Sequence, residues 1–228
     1  MDQRPRRMAA RLAARAAPIT VAIMATIGLA RADPSQAVAP RILDTSAAIT
    51  YFIADGAGRT GFRPADRQLA RWAFEAWERT ANHRFHLEPA AEASSLIRLY
   101  WAESNEGQYG EMRPLTVGGK RGAALYIRAD VDTLGEEIAR PARGDALLRD
   151  SIVYLTCVHE IGHALGLMHT SDFRDVMYFF GFGGDISEFF ERYRRQLRSR
   201  NDIASAAGVS AGDARRLNAL YGSSTPRQ

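Results

Sequence analysis

Hydrophobic and polar positions follow two different periods along the chain. Residues 49–53 form a β-branched and aromatic run that ends at Asp55-Gly56, which predicts a strand followed by a turn. Similar short runs predict further strands at 85–87, 96–101, 114–117 and 123–127. Residues 103–113 are predicted to be loop and 118–122 a glycine-rich turn. Because Pro114 has no N–H to donate, the strand that contains it is expected at the edge of the sheet.

Apolar residues at helical spacing predict three main helices. The first runs from Pro64 to Thr80, and its apolar stripe consists of Leu69, Trp72, Ala73, Ala76 and Trp77. A second covers 149–165 and stops at Gly166, and a third covers 210–220. Strands and helices are mixed without a βαβ alternation, so the predicted fold class is α+β with a largely antiparallel or mixed sheet.

The net charge of +4 belongs to the N-terminal segment. Residues 1–32 contain six arginines and one acid, which leaves the remainder of the chain with a net charge of −1. A protein body without excess positive charge has no electrostatic footprint for a phosphate backbone. Nucleic acid is therefore not expected as a partner.

The same N-terminal segment has the three parts of a secretory signal peptide. An arginine-rich stretch precedes the apolar run 16–30, and Ala30-Arg31-Ala32 fits a cleavage site. The run is shorter than the roughly 20 residues that span a bilayer, although an uncleaved anchor remains the alternative. Residues 33–45 are expected to be a linker. One lysine among 30 basic residues indicates a GC-rich bacterial genome, so we expect an exported protein, periplasmic or secreted.

Cys157 is the only cysteine, so no intramolecular disulfide can form. It lies within an apolar segment, and we interpret it as a small core residue. Stability must then come from a packed core and, where one is bound, from a metal ion.

The residues with the strongest chemical signal lie within the second predicted helix. His159 and His163 are four residues apart and project from one face, where two imidazoles can converge on a tetrahedral zinc ion. Glu160 is turned about 100° around the helix axis, so it points past the ligands toward a solvent molecule at the metal. Gly166 can end the helix in a left-handed conformation, which allows His169 to become a third ligand. Three protein ligands and one open position are typical of catalytic zinc.

These residues resemble a known family. His159-Glu160-x-x-His163-x-x-Gly166-x-x-His169 is similar to the extended zinc motif of the metzincin metalloproteases. Residues 175–178, with Met177, fit the methionine turn that these proteins place beneath the metal. Within the metzincins, the sequence most resembles the matrixins, over about residues 46–222.

The resemblance implies a sheet of about five strands, three helices and one catalytic Zn²⁺. It implies that Glu160 is the general base, that Met177 supports the metal site, and that the substrate is a protein or peptide cut at internal bonds. An edge strand at about 112–117 would pair with an extended substrate. Further cleft candidates are Leu115, Val117, Tyr178 and Phe179.

The chain also departs from the matrixin pattern. Phe179 stands where these proteins usually have proline, and an inserted segment at about 179–209 follows. Substrate preference therefore cannot be transferred. The residues that bind further metal ions in vertebrate members are not recognisable between 103 and 148. Asp130 and Asp132 could touch a cation such as calcium, but we favour a solvated strand end at these residues, and calcium has no other support.

Two questions remain open from the sequence. Apolar residues and arginines at helical spacing in 186–200 predict an amphipathic helix, which docks either on a membrane or, as we favour, on its own domain. The chain as a whole is expected to be a protease, with a non-catalytic zinc-binding module and a membrane-anchored protease as the alternatives. Glu160 argues against the first alternative, because structural zinc has no use for a general base.

Overall fold

A five-stranded mixed sheet and five helices make up the α+β fold. The structure, a computed structural model, describes residues 42–56, 60–103 and 109–222. The predicted signal peptide and most of the predicted linker lie outside these residues. No helix in the described ranges is long and apolar enough to span a membrane.

The sheet contains four parallel strands and one antiparallel edge strand. In chain order the strands are β1 (Ile49–Ile53), β2 (Leu87–Pro89), β3 (Ile97–Trp101), β4 (Gly110–Val117) and β5 (Lys120–Ile127). Their order in the sheet is β2-β1-β3-β5-β4, and only the β4–β5 pair is antiparallel. Pro114 lies in the edge strand β4, as its missing N–H predicts.

Three strands begin more than one residue away from the start that the sequence predicted: β2, β4 and β5, the last of which starts at Lys120 instead of Ala123. β2 begins at Leu87, because Phe85 turns into the core and packs on Tyr221 with ring centroids 4.8 Å apart. Residues 110–113 belong to β4, although they were expected to be loop. The exposed side chains of Glu111 and Arg113 alternate with partly buried positions, which suits an edge strand that is only half covered. The turn after β4 contains two residues only, Gly118 and Gly119, both with positive φ as a tight hairpin requires.

The three main helices expected from the sequence are present, with two nine-residue helices in addition. The helices are α1 (Asp66–Thr80), α2 (Glu136–Gly144), α3 (Ala146–Ala164), α4 (Ile186–Arg194) and α5 (Ala211–Gly222). The sequence analysis did not predict α2, whose interior Pro141 argues against a helix. It also placed the start of α3 three residues too late. Asp145 caps α3 by accepting hydrogen bonds from the N–H groups of Leu147 and Leu148.

The helix α3 packs against α1 and against β4 and β5 of the sheet, and it is almost entirely buried. Trp77 of α1 is fully buried, and its indole N–H donates to the carbonyl of Val158 at 2.8 Å. Trp72, expected in the same buried stripe, is only partly buried and lies beneath the guanidinium of Arg200. The buried ion pair between Arg149 and Asp66 joins α3 to the start of α1. The Trp77 and Asp66 contacts hold α3 against α1.

The inserted segment packs on its own domain, as favoured from the sequence. The apolar face of α4 is buried through Phe189, Phe190 and Tyr193. The arginines around it pair within the chain: Arg194 with Asp145, and Arg195 with Glu188. The apolar face of α4 is thus covered by protein.

Candidate metal centre

The zinc motif lies at the C-terminal end of α3, where the chain reverses direction. Gly166 has φ +98°, and the N–H of Leu167 donates to the carbonyl of Gly162 at 2.9 Å, which closes the helix in a left-handed cap. Gly166 therefore ends the helix as predicted. The chain then passes back over the end of α3 and brings His169 to the face that carries His159 and His163.

The three imidazole rings converge on one point. The Nε2 atom of His163 is 3.1 Å from Nε2 of His159 and 3.1 Å from Nε2 of His169, and the remaining Nε2–Nε2 distance is 3.3 Å. Nitrogen ligands about 2.0–2.1 Å from a tetrahedral zinc ion are roughly 3.3–3.4 Å apart. The donor set therefore fits zinc closely in both identity and spacing.

Backbone carbonyls hold two of the rings in the metal-binding orientation. Nδ1–H of His159 donates to the carbonyl of Val176 at 2.6 Å, and Nδ1–H of His163 donates to that of Leu167 at 2.9 Å. With Nδ1 protonated, the Nε2 lone pair is available for the metal. Burial lowers the pKa of all three histidines, and that of His159 falls to about 3. The rings are thus neutral, which is the form that binds metal.

Glu160 lies beside the triad with its carboxylate at the wall of a cavity. The side chain is 95% buried, and burial together with the nearby charge of Glu111 raises its pKa to about 8. A bound divalent cation would act in the opposite direction and favour the carboxylate. A Cβ atom at Gly110 would lie only 2.7 Å from Cγ of Glu160, so β4 passes directly against this side chain.

Met177 lies beneath the metal-binding part of α3. It is fully buried, and its Sδ atom approaches Gly162 so closely that a Cβ there would lie 2.4 Å away. The N–H of Thr170, next to His169, donates to the carbonyl of Met177 at 2.9 Å. Met177 thus supports both the helix that carries two histidines and the loop that carries the third.

An apolar cavity of about 270 Å³ opens beside the triad. His159, Glu160 and His169 line its polar side, and the predicted cleft residues Tyr178 and Phe179 also line it. Leu115 and Val117, the other two cleft candidates, lie at the far end of β4 and not in the cavity wall. Their contact with a substrate stays a prediction. The remaining wall residues are Tyr109, Gly110, Leu155, Thr156, Val176, Phe180, Phe189 and Phe190.

Several wall residues were not identified from the sequence. Phe189 and Phe190 come from α4, and their helical spacing predicted burial without indicating that they face the cavity. Gly110 and Tyr109 fall where the sequence predicted loop. Within the described residues, the histidine triad is the one group of three potential ligands close enough to share an ion. Asp132, a calcium candidate, instead pairs with Arg143.

A mixed sheet with an antiparallel edge strand, a buried helix carrying two histidines and a glutamate, and a third histidine after a glycine turn define a metzincin-type metalloprotease fold. The sequence profile of the matrixin family matches residues 44–182. The chain therefore belongs to the matrixins, a family of zinc-dependent metalloproteases that act on proteins or peptides. The match includes the triad, Glu160, Met177 and the first part of the inserted segment, and it ends before α4 and α5.

Proposed function

We propose that this protein is an exported zinc-dependent endopeptidase in which Glu160 is the general base. The observation that carries the proposal is the convergence of three neutral imidazoles beside a buried carboxylate, at the mouth of an apolar cavity. A structural zinc site would use a fourth protein ligand, whereas three histidines suit a site that reacts with substrate.

Each residue then has a distinct task. His159, His163 and His169 would hold the zinc ion, which when bound would supply Lewis-acid chemistry and lower the pKa of water toward about 7. Glu160 accepts the proton of the attacking water on its carboxylate and later delivers it to the nitrogen of the leaving amine. The low-dielectric wall around Glu160 strengthens its interaction with the charges that develop during the reaction.

The fold also supports a mode of substrate binding. In the sheet formed by the described residues β4 is an edge strand, along which an extended peptide can add as a further strand. This strand passes Glu160 at Gly110 and therefore leads a substrate to the metal. The aromatic wall of the cavity then favours substrates with a large apolar side chain next to the cut bond. Digestion of a peptide library should show this enrichment on one side of the cut.

Substitution of Glu160 tests the role of the general base. Glu160→Gln should bind zinc stoichiometrically and lose about 10²–10⁴-fold in kcat on a peptide substrate. Glu88→Gln, at an exposed position on β2, is the matched control and should retain full activity. Activity of Glu160→Gln within threefold of the parent would contradict the base role. A zinc-loaded parent without chelator-sensitive peptidase activity would instead favour the non-catalytic module.

Export is part of the proposal and is supported by the N-terminal sequence alone. A charged segment, an apolar run and a small-residue cleavage site precede the domain. N-terminal sequencing of the protein recovered outside the cytoplasm should give a chain that begins at Asp33. An intact N-terminus in the membrane fraction would instead support the anchored form.

A further inference from the structure

Two buried carboxylates join the loop that follows His169 to the helix α5. Asp175 is in this loop and Asp213 is in α5, and both are almost completely buried. Nη2 of Arg216 donates to both, at 2.8 Å to Asp175 and 2.6 Å to Asp213. Ser210 adds its hydroxyl to Asp175. We refer to Asp175, Asp213 and Arg216 as the carboxylate cluster.

One branch of hydrogen bonds leads from the cluster to His159. Asp213 accepts the backbone N–H of Val176 at 2.8 Å. The carbonyl oxygen of Val176 in turn accepts Nδ1–H of His159 at 2.6 Å. The position of this carbonyl thus depends on Asp213, and it sets both the tautomer and the direction of the His159 ring.

A second branch leads from the cluster to His169. Asp175 accepts the hydroxyl of Thr170 at 2.9 Å, and Thr170 directly follows His169 in the chain. The carbonyl of Thr170 also accepts the N–H of Phe179 at 3.1 Å, and the Phe179 ring stacks on the His169 ring. The backbone that carries the third histidine is therefore tied to the same buried charges.

The close approach of α5 to the loop requires a glycine. A Cβ atom at Gly212 would lie 2.6 Å from Oδ1 of Asp175. The absence of a side chain at this position allows the start of α5 to press against the loop and bring Asp213 within reach of Val176. Because α5 lies beyond the stretch that matches the matrixin profile, the match does not assign these contacts.

We propose that Asp175, Asp213 and Arg216 are positioning residues that set the zinc affinity of the site by orienting His159 and His169. Hydrogen bonds to buried charged groups are stronger than neutral ones, and such a network holds its members in one arrangement. Residues that orient metal ligands typically change metal affinity by about 10- to 100-fold when they are replaced. The proposal extends the zinc site of the proposed function, although it does not require peptidase activity.

The test compares zinc affinity in the folded full chain, by competition with a chromophoric chelator. Asp175→Ala removes the acceptor for Thr170 and one of the two partners of Arg216. Thr170→Val removes only the hydroxyl donor and keeps the size of the side chain. The matched control is Arg215→Met, at an exposed position next to Arg216 that makes no ion pair with a described residue. Circular dichroism establishes that each variant is folded at the temperature used.

Asp175→Ala should bind zinc about 10- to 100-fold more weakly than the parent, and Thr170→Val should weaken binding in the same direction. Asp175→Asn, which keeps an oxygen acceptor for Thr170, should bind more tightly than Asp175→Ala. The visible absorption of the Co²⁺-loaded protein should change in Asp175→Ala, because it reports ligand geometry and not overall stability.

Zinc affinity of folded Asp175→Ala within threefold of the parent, with an unchanged Co²⁺ spectrum, would overturn the proposal. If Asp175→Ala does not fold, Thr170→Val decides, and unaltered affinity in that variant would overturn it. Because the test measures zinc binding, a failure of the proposed peptidase function would be seen separately. The variants would then bind zinc more weakly than the parent, as expected, but the zinc-loaded parent would cleave no peptide.

Discussion

Gly110 at the start of β4 controls where the carboxylate of Glu160 can lie. A Cβ atom there would be 2.7 Å from Cγ and 2.8 Å from Oε1 of Glu160, whereas ordinary van der Waals contact begins at 3.4 Å. Gly110→Ala should therefore displace the carboxylate by about 0.7 Å, since β4 is held by its pairing with β5. The side chain can move into the adjoining cavity, so the fold should be retained.

The size of the effect follows from this displacement. A shift of about 1 Å in a catalytic group can lower the rate by about 10²-fold, so we expect kcat to fall by about 10- to 100-fold in Gly110→Ala. Zinc binding should be unchanged, because the three atoms nearest to the new methyl group all belong to Glu160 and not to a histidine. The measurements are kcat on a fluorogenic peptide and the zinc content of the purified protein. Gly144→Ala is the control, since open space surrounds that glycine.

A double-mutant cycle shows whether the loss passes through Glu160. In a Glu160→Gln background, Gly110→Ala should reduce the residual activity by less than threefold, because the displaced group no longer acts as a base. Full activity of Gly110→Ala in the otherwise unaltered protein would refute the steric argument. An equally large loss in the Glu160→Gln background would show that the methyl group acts on substrate binding instead.

Three further predictions concern the core and the histidines. Gly162→Ala should destabilise the fold by about 1–3 kcal/mol and weaken zinc binding, because the new Cβ would lie 2.4 Å from Sδ of Met177. An unchanged free energy of unfolding in denaturant would contradict this prediction. Cys157→Ser should leave kcat nearly unchanged, since burial holds the pKa of the thiol far above the neutral range, and loss of activity in a folded, zinc-loaded variant would contradict the core role. In the metal-free protein, the pKa of His159 is about 3 in the folded state and 6.5 in the unfolded state. Between these values the unfolded state binds more protons, so the free energy of unfolding should decrease as the pH falls, by up to about 1.4 kcal/mol per pH unit. His159→Gln should therefore show a shallower pH dependence of unfolding than the parent, and equal slopes would count against the shift.

Local sequence patterns were sufficient to predict the elements that carry the zinc ligands. Because His159 and His163 are four residues apart on a helix that ends at Gly166, the spacing indicated that these two histidines and His169 could share one metal ion. The predicted helix is confirmed, and the three rings converge as expected. The strands with strong alternation, β1 and β3, were also predicted within one residue.

Features that depend on tertiary contacts could not be predicted in this way. The helix α2 was missed because Pro141 opposes a helix locally, while burial of Ile138, Ala139 and Ala142 stabilises it in the fold. The first residues of β4 read as loop because a half-exposed edge strand needs few apolar side chains.

The wall of the cavity is a second feature that local patterns did not predict. Phe189 and Phe190 were expected to be buried, but which surface they meet depends on how α4 returns to α3. The spacing of apolar residues within α4 does not show where this helix packs on the rest of the domain. The carboxylate cluster could not be predicted for the same reason, because Arg216 in α5 and Asp175 are distant in the sequence and meet only in the folded chain.

The central claim is that three imidazoles hold one zinc ion and leave one coordination position to solvent. X-ray absorption at the zinc edge of the purified protein measures this directly. The proposed function predicts about three nitrogen ligands with imidazole scattering and one further oxygen, all at about 2.0–2.2 Å. A sulfur ligand at about 2.3 Å, or a fourth imidazole, would contradict the open catalytic site and with it the assignment as a protease.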